Sequence, residues 1–383
     1  MSVAVLAAAL FFNAGQGVLR PSFPLYLQQC FAANYRMVTL IPVVFGAGKW
    51  MASLPTGYLL DRLGRTQVMV FGLLMIAACD IASPVVPVYG AFLGVRGVAG
   101  AGWAMFATVA TTTMIDRSGD RRRGRAVSLL LMSETVGILL GSTAGGRLYQ
   151  DVGVASPFMF EAACMAVAAG IVACFPLPGG KARERAVRGR HLLRTVLDAP
   201  GVMLMSLTSA ALAGVQTGVL VFLFPLYLSE QGRLRPETVG YVVALGALGR
   251  LVALWLAGSV SDQGGRVTVL RVGLLGYGLL LGSLTLVIHP VWLSLWSFMI
   301  GAGAGVVAGL PTAIIGDRVS PERSGVAIGW LRTVTDTGML TGPLLMGMLA
   351  DGIDLAAPFV IAGALLCVLS WPGPRPAVEV RAT

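Results

Sequence analysis

The sequence GYLLDRLGRT at residues 57–66 returns as GSVSDQGGRV at residues 258–267, 201 residues further along the chain. In both copies an apolar run ends in Gly and Asp, a Gly-Arg pair follows, and a second apolar run begins. The pentapeptide FPLYL, at 23–27 and again at 224–228, repeats at the same offset. An ungapped match of this kind indicates that the chain consists of two similar halves.

Long apolar runs surround these loops and continue along the whole chain. The chain is 56% hydrophobic and only 12% charged, against about 25% charged residues in soluble domains. A run of about 20 apolar residues crosses the bilayer as a helix, and lipid tolerates only structures that satisfy their own backbone. Twelve membrane-spanning helices are predicted: 3–28, 38–60, 67–84, 88–113, 125–149, 156–176, 199–228, 238–260, 267–288, 291–315, 325–349 and 356–371.

The predicted fold is an all-α integral membrane protein with two pseudo-symmetric six-helix bundles. The first bundle covers residues 1–176 and the second covers residues 199–383. Between them lies the linker 177–198, LPGGKARERAVRGRHLLRTVLD, which is polar and basic. Since each half crosses the membrane an even number of times, the halves are parallel repeats, and we expect a substrate path between them.

The positive charge of the chain predicts its topology. Net charge is +10, but the arginines lie in short loops, so nucleic acid is not an expected partner. One set of loops holds nineteen basic residues and the opposite set four. The positive-inside rule therefore predicts a multi-pass protein of the inner or plasma membrane with both termini cytoplasmic. Five basic residues remain inside the spans: Arg20, Lys49, Arg96, Arg250 and Arg332.

The loop at 57–66 resembles the signature loop of the major facilitator superfamily, and 258–267 is a weaker copy. The resemblance implies the twelve-helix fold and a cytoplasmic gate that breaks during transport, with Arg65 pairing with Asp116. A capped turn with topology-setting arginines is the alternative. The predicted gate residues are Gly57, Asp61, Arg62, Gly64, Arg65, Asp116, Asp262, Arg266 and Asp317.

The fourth span, with LGVRGVAGAG at residues 93–102, resembles the Arg-containing fourth-helix motif of the same family. An arginine inside a span is costly and should face the protein interior or a wet cavity. Ser297 stands at the position equivalent to Arg96, so the repeated fold does not require the arginine. We therefore expect a functional role for Arg96, with a structural ion pair to Asp80 as the alternative.

The fifth span is similar to the antiporter motif of the drug:proton antiporters in this family. It departs from the motif at Ser142, where the family has proline, whereas the second half keeps Pro343. Glycines at this spacing also favour close helix packing, which is the alternative interpretation. The motif residues are Gly137, Gly141, Gly145 and Gly146, with Gly342 and Pro343 in the second half.

Four charged residues share a similar depth near the middle of the membrane. Because the family arrangement places the second helix against the eleventh and the fifth against the eighth, we expect two pairs between the halves, Lys49 with Asp336 and Arg250 with Glu134. The candidates for proton coupling are Glu134, Asp336 and Arg96. The alternatives are simple interface salt bridges, or a local pair between Arg332 and Asp336, four residues apart on one helix.

Polar residues on the first, seventh and eleventh spans are candidates to line the path, since polar side chains in lipid usually turn inward. Helix–helix hydrogen bonding is the alternative role. Glu161 is expected at the outer rim of the sixth span. The path candidates are Asn13, Gln16, Arg20, Gln216 and Arg332.

These features predict a secondary active transporter of a small molecule that works by alternating access, most consistent with proton-coupled efflux. No ATP-binding loop is present, so an ion gradient must supply the work. Neither enzyme activity, nor a cofactor, nor a metal site is expected. The expected partners are the substrate, protons and the lipid bilayer, and the chain is expected to act as a monomer. Uptake or exchange of a small organic anion is one alternative, and a non-transporting sensor is a more remote one.

Overall fold

The computed structural model describes residues 2–117, 123–177, 201–319 and 324–371, and these residues form helices and short connections without any strand. The first half contains six long helices: α1 (Ser2–Phe31), α2 (Tyr35–Leu63), α3 (Arg65–Ala82), α4 (Tyr89–Arg117), α5 (Arg123–Arg147) and α6 (Ser156–Cys174). The second half repeats them: α7 (Val202–Glu230), α8 (Pro236–Gly264), α9 (Arg266–Ser283), α10 (Pro290–Val307, continued by Leu310–Arg318), α11 (Ser324–Gly352) and α12 (Ala357–Ser370).

The twelve helices match the twelve predicted spans, and several extend beyond the predicted ends. Nine stretches of the described residues are long and apolar enough to cross a membrane. Large apolar side chains face outward along the helices, among them Phe71, Leu279 and Leu345. An apolar outer surface is what contact with lipid requires, because hydrocarbon can solvate no polar group.

The turns between consecutive helices repeat as faithfully as the helices. Gly64 separates α2 from α3 with φ +83°, and Gly265 separates α8 from α9 with φ +79°. A side chain at such a φ is strained, so glycine is the residue that lets each helix reverse direction here. A 3-10 turn then follows each of α3 and α9, at Ser83–Val85 and Leu284–Leu286.

Two helices of the second half depart from a regular α-helix, which the sequence did not predict. In α7, Val215–Leu223 is wound as a π-helix directly before Pro225. In α10, the helix stops at Val307 and restarts at Leu310 with proline in its first turn. Proline lacks the N–H that a regular turn uses, and π segments often accompany functional sites in membrane helices.

Helix pairing is the same in both halves. Helix α1 packs on α5 as α7 packs on α11, α2 on α4 as α8 on α10, and α3 on α6 as α9 on α12. Glycine permits the closest of these approaches: Gly48 meets the carbonyl oxygen of Gly97, and its repeat equivalent Gly249 meets that of Phe298. Between the halves, α2 packs on α11 and α5 on α8, which is the arrangement that the resemblance implies.

The hydrophobic core differs between the two ends of the molecule. We call the end where α6 finishes and α7 begins the linker end, and the other the opposite end. Near the linker end, the first half has a separate core that includes Val5, Leu73, Val109 and Val172. A second core runs through the second half and, towards the opposite end, takes in α1 residues such as Phe23. The halves are therefore joined by apolar packing at the opposite end.

Candidate functional site

The interior of the molecule holds a cavity between the two halves. One chamber of about 60 Å³, lined by both halves, has apolar walls with a few polar side chains. A second chamber of about 160 Å³ adjoins it and shares Gln216 and Arg250. Gln216 lies in the π-helical turn of α7. The polar side chains of the two chambers are Arg20, Thr135, Ser209, Gln216, Arg250, Tyr277, Ser297 and Thr335.

Two arginines, one from each half, face this cavity. Arg20 on α1 and Arg250 on α8 are near enough to interact electrostatically, and Glu134 is the acidic group that also acts on Arg20. Arg250 Nε and the hydroxyl of Tyr277 are buried without a hydrogen-bond partner. Unpaired buried donors are costly, so the chamber has positive charge and spare donors available for a ligand.

The proposed pair between Arg250 and Glu134 is not formed as a direct contact. No ion pair within 4.0 Å joins these two described residues. Glu134 is half-buried and interacts electrostatically with Arg20 and with Lys49. The acidic group predicted to pair with Arg250 is thus a neighbour of two other cations, Arg20 and Lys49.

Lys49 and Asp336 line a separate cavity of about 320 Å³ between α2, α4 and α11, together with Arg332. The Lys49 ammonium lies 3.8 Å from the ring centroid of Trp103, a cation–π contact. Asp336 is among its electrostatic neighbours, but within the described residues no ion pair shorter than 4.0 Å joins Asp336 to Lys49 or to Arg332. The structure therefore brings the predicted partners to one cavity without bonding them.

Arg96 forms a buried ion pair inside the first half. Its Nη2 lies 2.5 Å from Asp80 Oδ1, with the two side chains 5% and 0% exposed. Glu161 on α6 is the next carboxylate acting on Arg96, and Gln16 on α1 donates a hydrogen bond of 2.5 Å to Glu161 Oε1. The rim position expected for Glu161 is wrong: the residue is 0% exposed, because α6 turns this face towards α1 and α3.

The lack of a side chain at Gly15 explains how Glu161 comes close to Arg96 and Asp80. A Cβ at Gly15 would lie 3.2 Å from Glu161 Cγ and 3.0 Å from Met165 Cε, closer than most side chains tolerate. The absent side chain lets α6 approach α1. The sequence carries no periodic signal for this contact, since it depends on how α6 is rotated against its neighbours.

Among the path candidates, Arg20 and Gln216 line the central cavity and Arg332 lines the cavity of Lys49. Asn13 donates instead to the backbone carbonyl of Ala9, four residues earlier on its own helix. Gln16 links α1 to α6 through Glu161. The polar face of α1 therefore serves both the cavity and the helix packing.

The glycine stripe of α5, which consists of Gly137, Gly141, Gly145 and Gly146, forms two seams, meaning close backbone contacts with another helix. Gly141 and Gly145 lie against the backbone of Ala14 and Val18 on α1, and Gly146 lies against Pro236 at the start of α8. Ser142, which replaces the family proline, donates to the carbonyl oxygen of Gly17 at 3.2 Å. In the second half, Gly338 and Gly342 pack on α7, and Pro343 lies against Gly218.

At the linker end, two of the predicted gate residues contact each other. Arg266 Nη1 lies 2.8 Å from both carboxylate oxygens of Asp317. By repeat symmetry this corresponds to the predicted Arg65–Asp116 pair. Arg62 lies over the ring of Tyr58. The described part of the structure does not include the side chains of Asp61, Asp116 and Asp262. It also does not include the burial of Gly57.

Polar contacts between the halves close the opposite end. Asp351 on α11 accepts hydrogen bonds from the backbone N–H groups of Tyr35 and Arg36, at 2.9 and 3.0 Å, and so caps the start of α2. Glu230 at the end of α7 accepts from Gln28 and from the hydroxyl of Tyr35. These acceptors tie the end of α11 and the end of α7 to the first half.

The third contact at this end joins α5 to α8. Arg147 lies 2.7 Å from Glu237, and the guanidinium of Arg147 also lies over the ring of Tyr241. Because this ion pair is exposed to solvent, its contribution to the free energy of closing this end is modest. Together with the shared apolar core, these contacts make the opposite end the closed end of the cavity.

Comparison with known proteins connects this architecture with transport. A family model described as Major Facilitator Superfamily matches residues 5–232 and again residues 206–380. Among curated relatives, an "Uncharacterized MFS-type transporter YcaD" from Escherichia fergusonii is 25% identical over 348 residues, which is 90% of this chain and 87% of the relative. Its namesake from Salmonella typhimurium is 23% identical over 363 residues, covering 94% and 92%.

Solved structures share the fold at low sequence identity. The crystal structure of nucleoside transporter NupG matches 96% of this chain and 97% of its own, with a TM-score of 0.77 and 12% identity. A mutant of the same transporter gives a TM-score of 0.78. At this identity the match supports the arrangement of the helices and carries no information about the substrate.

Proposed function

Because this chain belongs to the major facilitator superfamily, whose members include the curated transporters it resembles, we propose that it is a proton-coupled exporter of a small amphipathic molecule. The observation that carries the proposal is the cavity between the halves, whose apolar walls hold Arg20 and Arg250 from opposite halves. A site built from both halves is remodelled whenever the halves rock against each other.

Alternating access requires that contacts at the closed end break while others form at the linker end. The acceptors Asp351 and Glu230 hold the closed end through hydrogen bonds to the first half. Such bonds are individually worth about 1.5–3 kcal/mol when one partner is charged. A few of them can be exchanged for new contacts at the linker end without a large change in free energy.

The chemistry of the cavity supports an amphipathic substrate with an anionic end. Phe224, Ile138 and Ile300 supply apolar surface. Arg250 offers a buried Nε without a partner, and arginine is suited to carboxylate and phosphate groups. An anionic group between Arg20 and Arg250 would relieve their mutual repulsion.

Direction and coupling are supported by sequence features and by the acidic groups near the cavities. The fifth-span glycines resemble the motif of drug:proton antiporters, and they form the seams that join α5 to α1 and α8. Asp336 lines a cavity between the halves, and Glu134 is an acidic neighbour of Arg20 and Lys49. The cationic neighbours of both carboxyl groups would change as the halves move. A carboxylate in this setting can capture and release a proton.

Uptake or exchange of a small organic anion is a second candidate. It is favoured by Lys49 and Arg332, which add positive charge to the cavity beside α11. A substrate that is wholly anionic, rather than amphipathic, would use these cations as well as the central arginines.

The experiment begins with ligand-induced thermal stabilisation of the purified protein. The panel contains amphipathic compounds, small organic anions and nucleosides. Each stabilising compound is then tested for counterflow in proteoliposomes, followed by flux with and without a pH gradient. Export predicts exchange and accumulation driven by proton movement in the opposite direction. Accumulation driven by protons moving in the same direction would replace export by uptake, and binding without exchange would indicate a sensor.

A further inference from the structure

The buried cluster around Arg96 contains two carboxyl groups with an unsatisfied oxygen each. Arg96 bonds Asp80 Oδ1 and Gln16 bonds Glu161 Oε1. The remaining oxygens, Asp80 Oδ2 and Glu161 Oε2, are buried without a donor. The two carboxyl groups are close enough to act electrostatically on each other and on Arg96. Ionised carboxylates only accept hydrogen bonds, so a bond between them requires a proton on one of the two.

The charges of the cluster lead to the same requirement. With both carboxyl groups ionised, the single guanidinium of Arg96 leaves one buried negative charge uncompensated, which proteins avoid. The other titratable groups that act on the cluster are Cys79 beside Asp80, Cys164 beside Glu161 and Tyr26 beside Arg96. Thiols and phenols are neutral at neutral pH, so they do not supply the missing positive charge.

We propose that Asp80 and Glu161 hold one proton between them and form a proton-binding site inside the first half. It lies apart from Glu134, which neighbours Arg20 and Lys49, and from Asp336, which lines a cavity between the halves. The site deepens the proposed function, on which its role in coupling rests, since it names where the transported proton would bind.

Arg96 provides an alternative arrangement for the cluster once the proton has been lost. Its Nε is buried and has no hydrogen-bond partner. When the proton leaves for water, the freed carboxylate oxygen gains a negative charge that Nε can meet, and the guanidinium then bridges Asp80 and Glu161. On reprotonation this bond is released. Two states that differ by one proton thus account for the three unsatisfied atoms of the cluster, which are Asp80 Oδ2, Glu161 Oε2 and Arg96 Nε.

Gln16 connects the pair to the central cavity. It lies one helical turn before Arg20 on the same side of α1, is partly exposed and donates to Glu161. Arg20 itself lines the cavity. A change at Arg20 on ligand binding therefore reaches the carboxyl pair along one face of a single helix.

The test is infrared spectroscopy of the reconstituted protein without any ligand, titrated with acid and base. A protonated carboxyl group has a C=O stretch that an ionised one lacks. We expect this band in the wild type at neutral pH, and its loss in Asp80→Asn and equally in Glu161→Gln. In either single variant, the remaining carboxylate pairs with Arg96 and needs no proton. In Arg96→Gln both carboxyl groups should be protonated, and the band should grow.

The double variant Glu134→Gln, Asp336→Asn is the control and must keep the band. It also keeps the test valid if the cluster variants do not fold, because the control removes the two other proton-coupling candidates among the carboxyl groups. Absence of the band in the wild type, its loss in the control, or its survival in both single variants would overturn the proposal. Because no transport is measured, failure of the proposed export function leaves this result unchanged.

Discussion

The protein satisfies the hydrogen-bonding groups of Arg250 only in part, so a bound ligand could lower the free energy of this buried cation. Its Nε lacks a partner, and Arg20 from the other half is a like-charged neighbour. Such an arrangement stores unfavourable free energy in the empty cavity. A ligand with a negative group can recover this free energy by accepting a hydrogen bond from Arg250.

Replacing Arg250 by Gln should therefore have opposite effects on the empty and the occupied protein. We expect the ligand-free protein to melt at the same or a higher temperature, since repulsion with Arg20 is removed. The stabilisation by an anionic ligand should fall, with affinity reduced about tenfold or more, as for a lost charged hydrogen bond. Thermal unfolding with and without the ligand measures both.

Arg332→Gln is the matched control, because Arg332 is an exposed cation in the other cavity. It should leave the affinity for an amphipathic ligand nearly unchanged. Equal losses in both variants would mean that the ligand binds through general positive charge, as the organic-anion alternative requires.

At the scale of single residues, the sequence did not predict which face of α6 is buried. The depths of Lys49 and Arg250 follow from the repeat and from helical rise, and both residues do lie at cavities between the halves. Glu161 was misjudged because its burial depends on the rotation of α6 and on the missing side chain at Gly15. Trp103, which the Lys49 ammonium contacts, carries no signal that distinguishes it from any other apolar residue.

At the scale of single helices, the glycine stripe of α5 determines how closely α1 can pack. A Cβ at Gly141 would overlap the carbonyl oxygen of Ala14. We expect Gly141→Ala to push α1 and α5 apart and to destabilise the protein by about 1–3 kcal/mol, the usual cost of overpacking. The melting temperature in detergent measures this directly.

Gly94→Ala on α4 is the matched control, since nothing lies within 4 Å of a Cβ at that position. Alanine has a higher helix propensity than glycine by about 1 kcal/mol, so this variant should be as stable as the wild type or more so. If Gly141→Ala behaves like Gly94→Ala, the stripe does not hold the helices together.

The existence of the helices was predictable, whereas their irregularities were not. Hydrocarbon forces every span into a self-satisfied helix, so twelve apolar runs give twelve helices. The π-helical turn of α7 and the break in α10 depend on local packing that hydropathy does not describe. The turn of α7 matters most, because it carries Gln216 into the central cavity.

At the scale of the whole molecule, closure at one end depends on a small number of acceptors. Asp351 caps α2 across the boundary between the halves. We expect Asp351→Asn, combined with Glu230→Gln, to shift the population towards the state open at this end, by about tenfold or more for the loss of charged hydrogen bonds. Distances between spin labels placed on the two halves report the shift.

Asp354→Asn serves as the control for this prediction. Asp354 lies at the same end and also caps a helix, but it accepts from Ala357 within its own half at 2.6 Å. Its replacement should leave the distances between the halves unchanged. A similar shift in both variants would indicate a general loss of stability at this end rather than a specific release of the closed state.

The two cores have a consequence for how the protein is made. The core near the linker end consists only of residues from the first half, among them Val5 and Val172. These helices leave the ribosome first, and they can bury that surface in the membrane before α7 is synthesised. The core at the opposite end needs both halves. We therefore expect the first half to form a domain during synthesis, and the closed state to assemble only when the second half has been inserted.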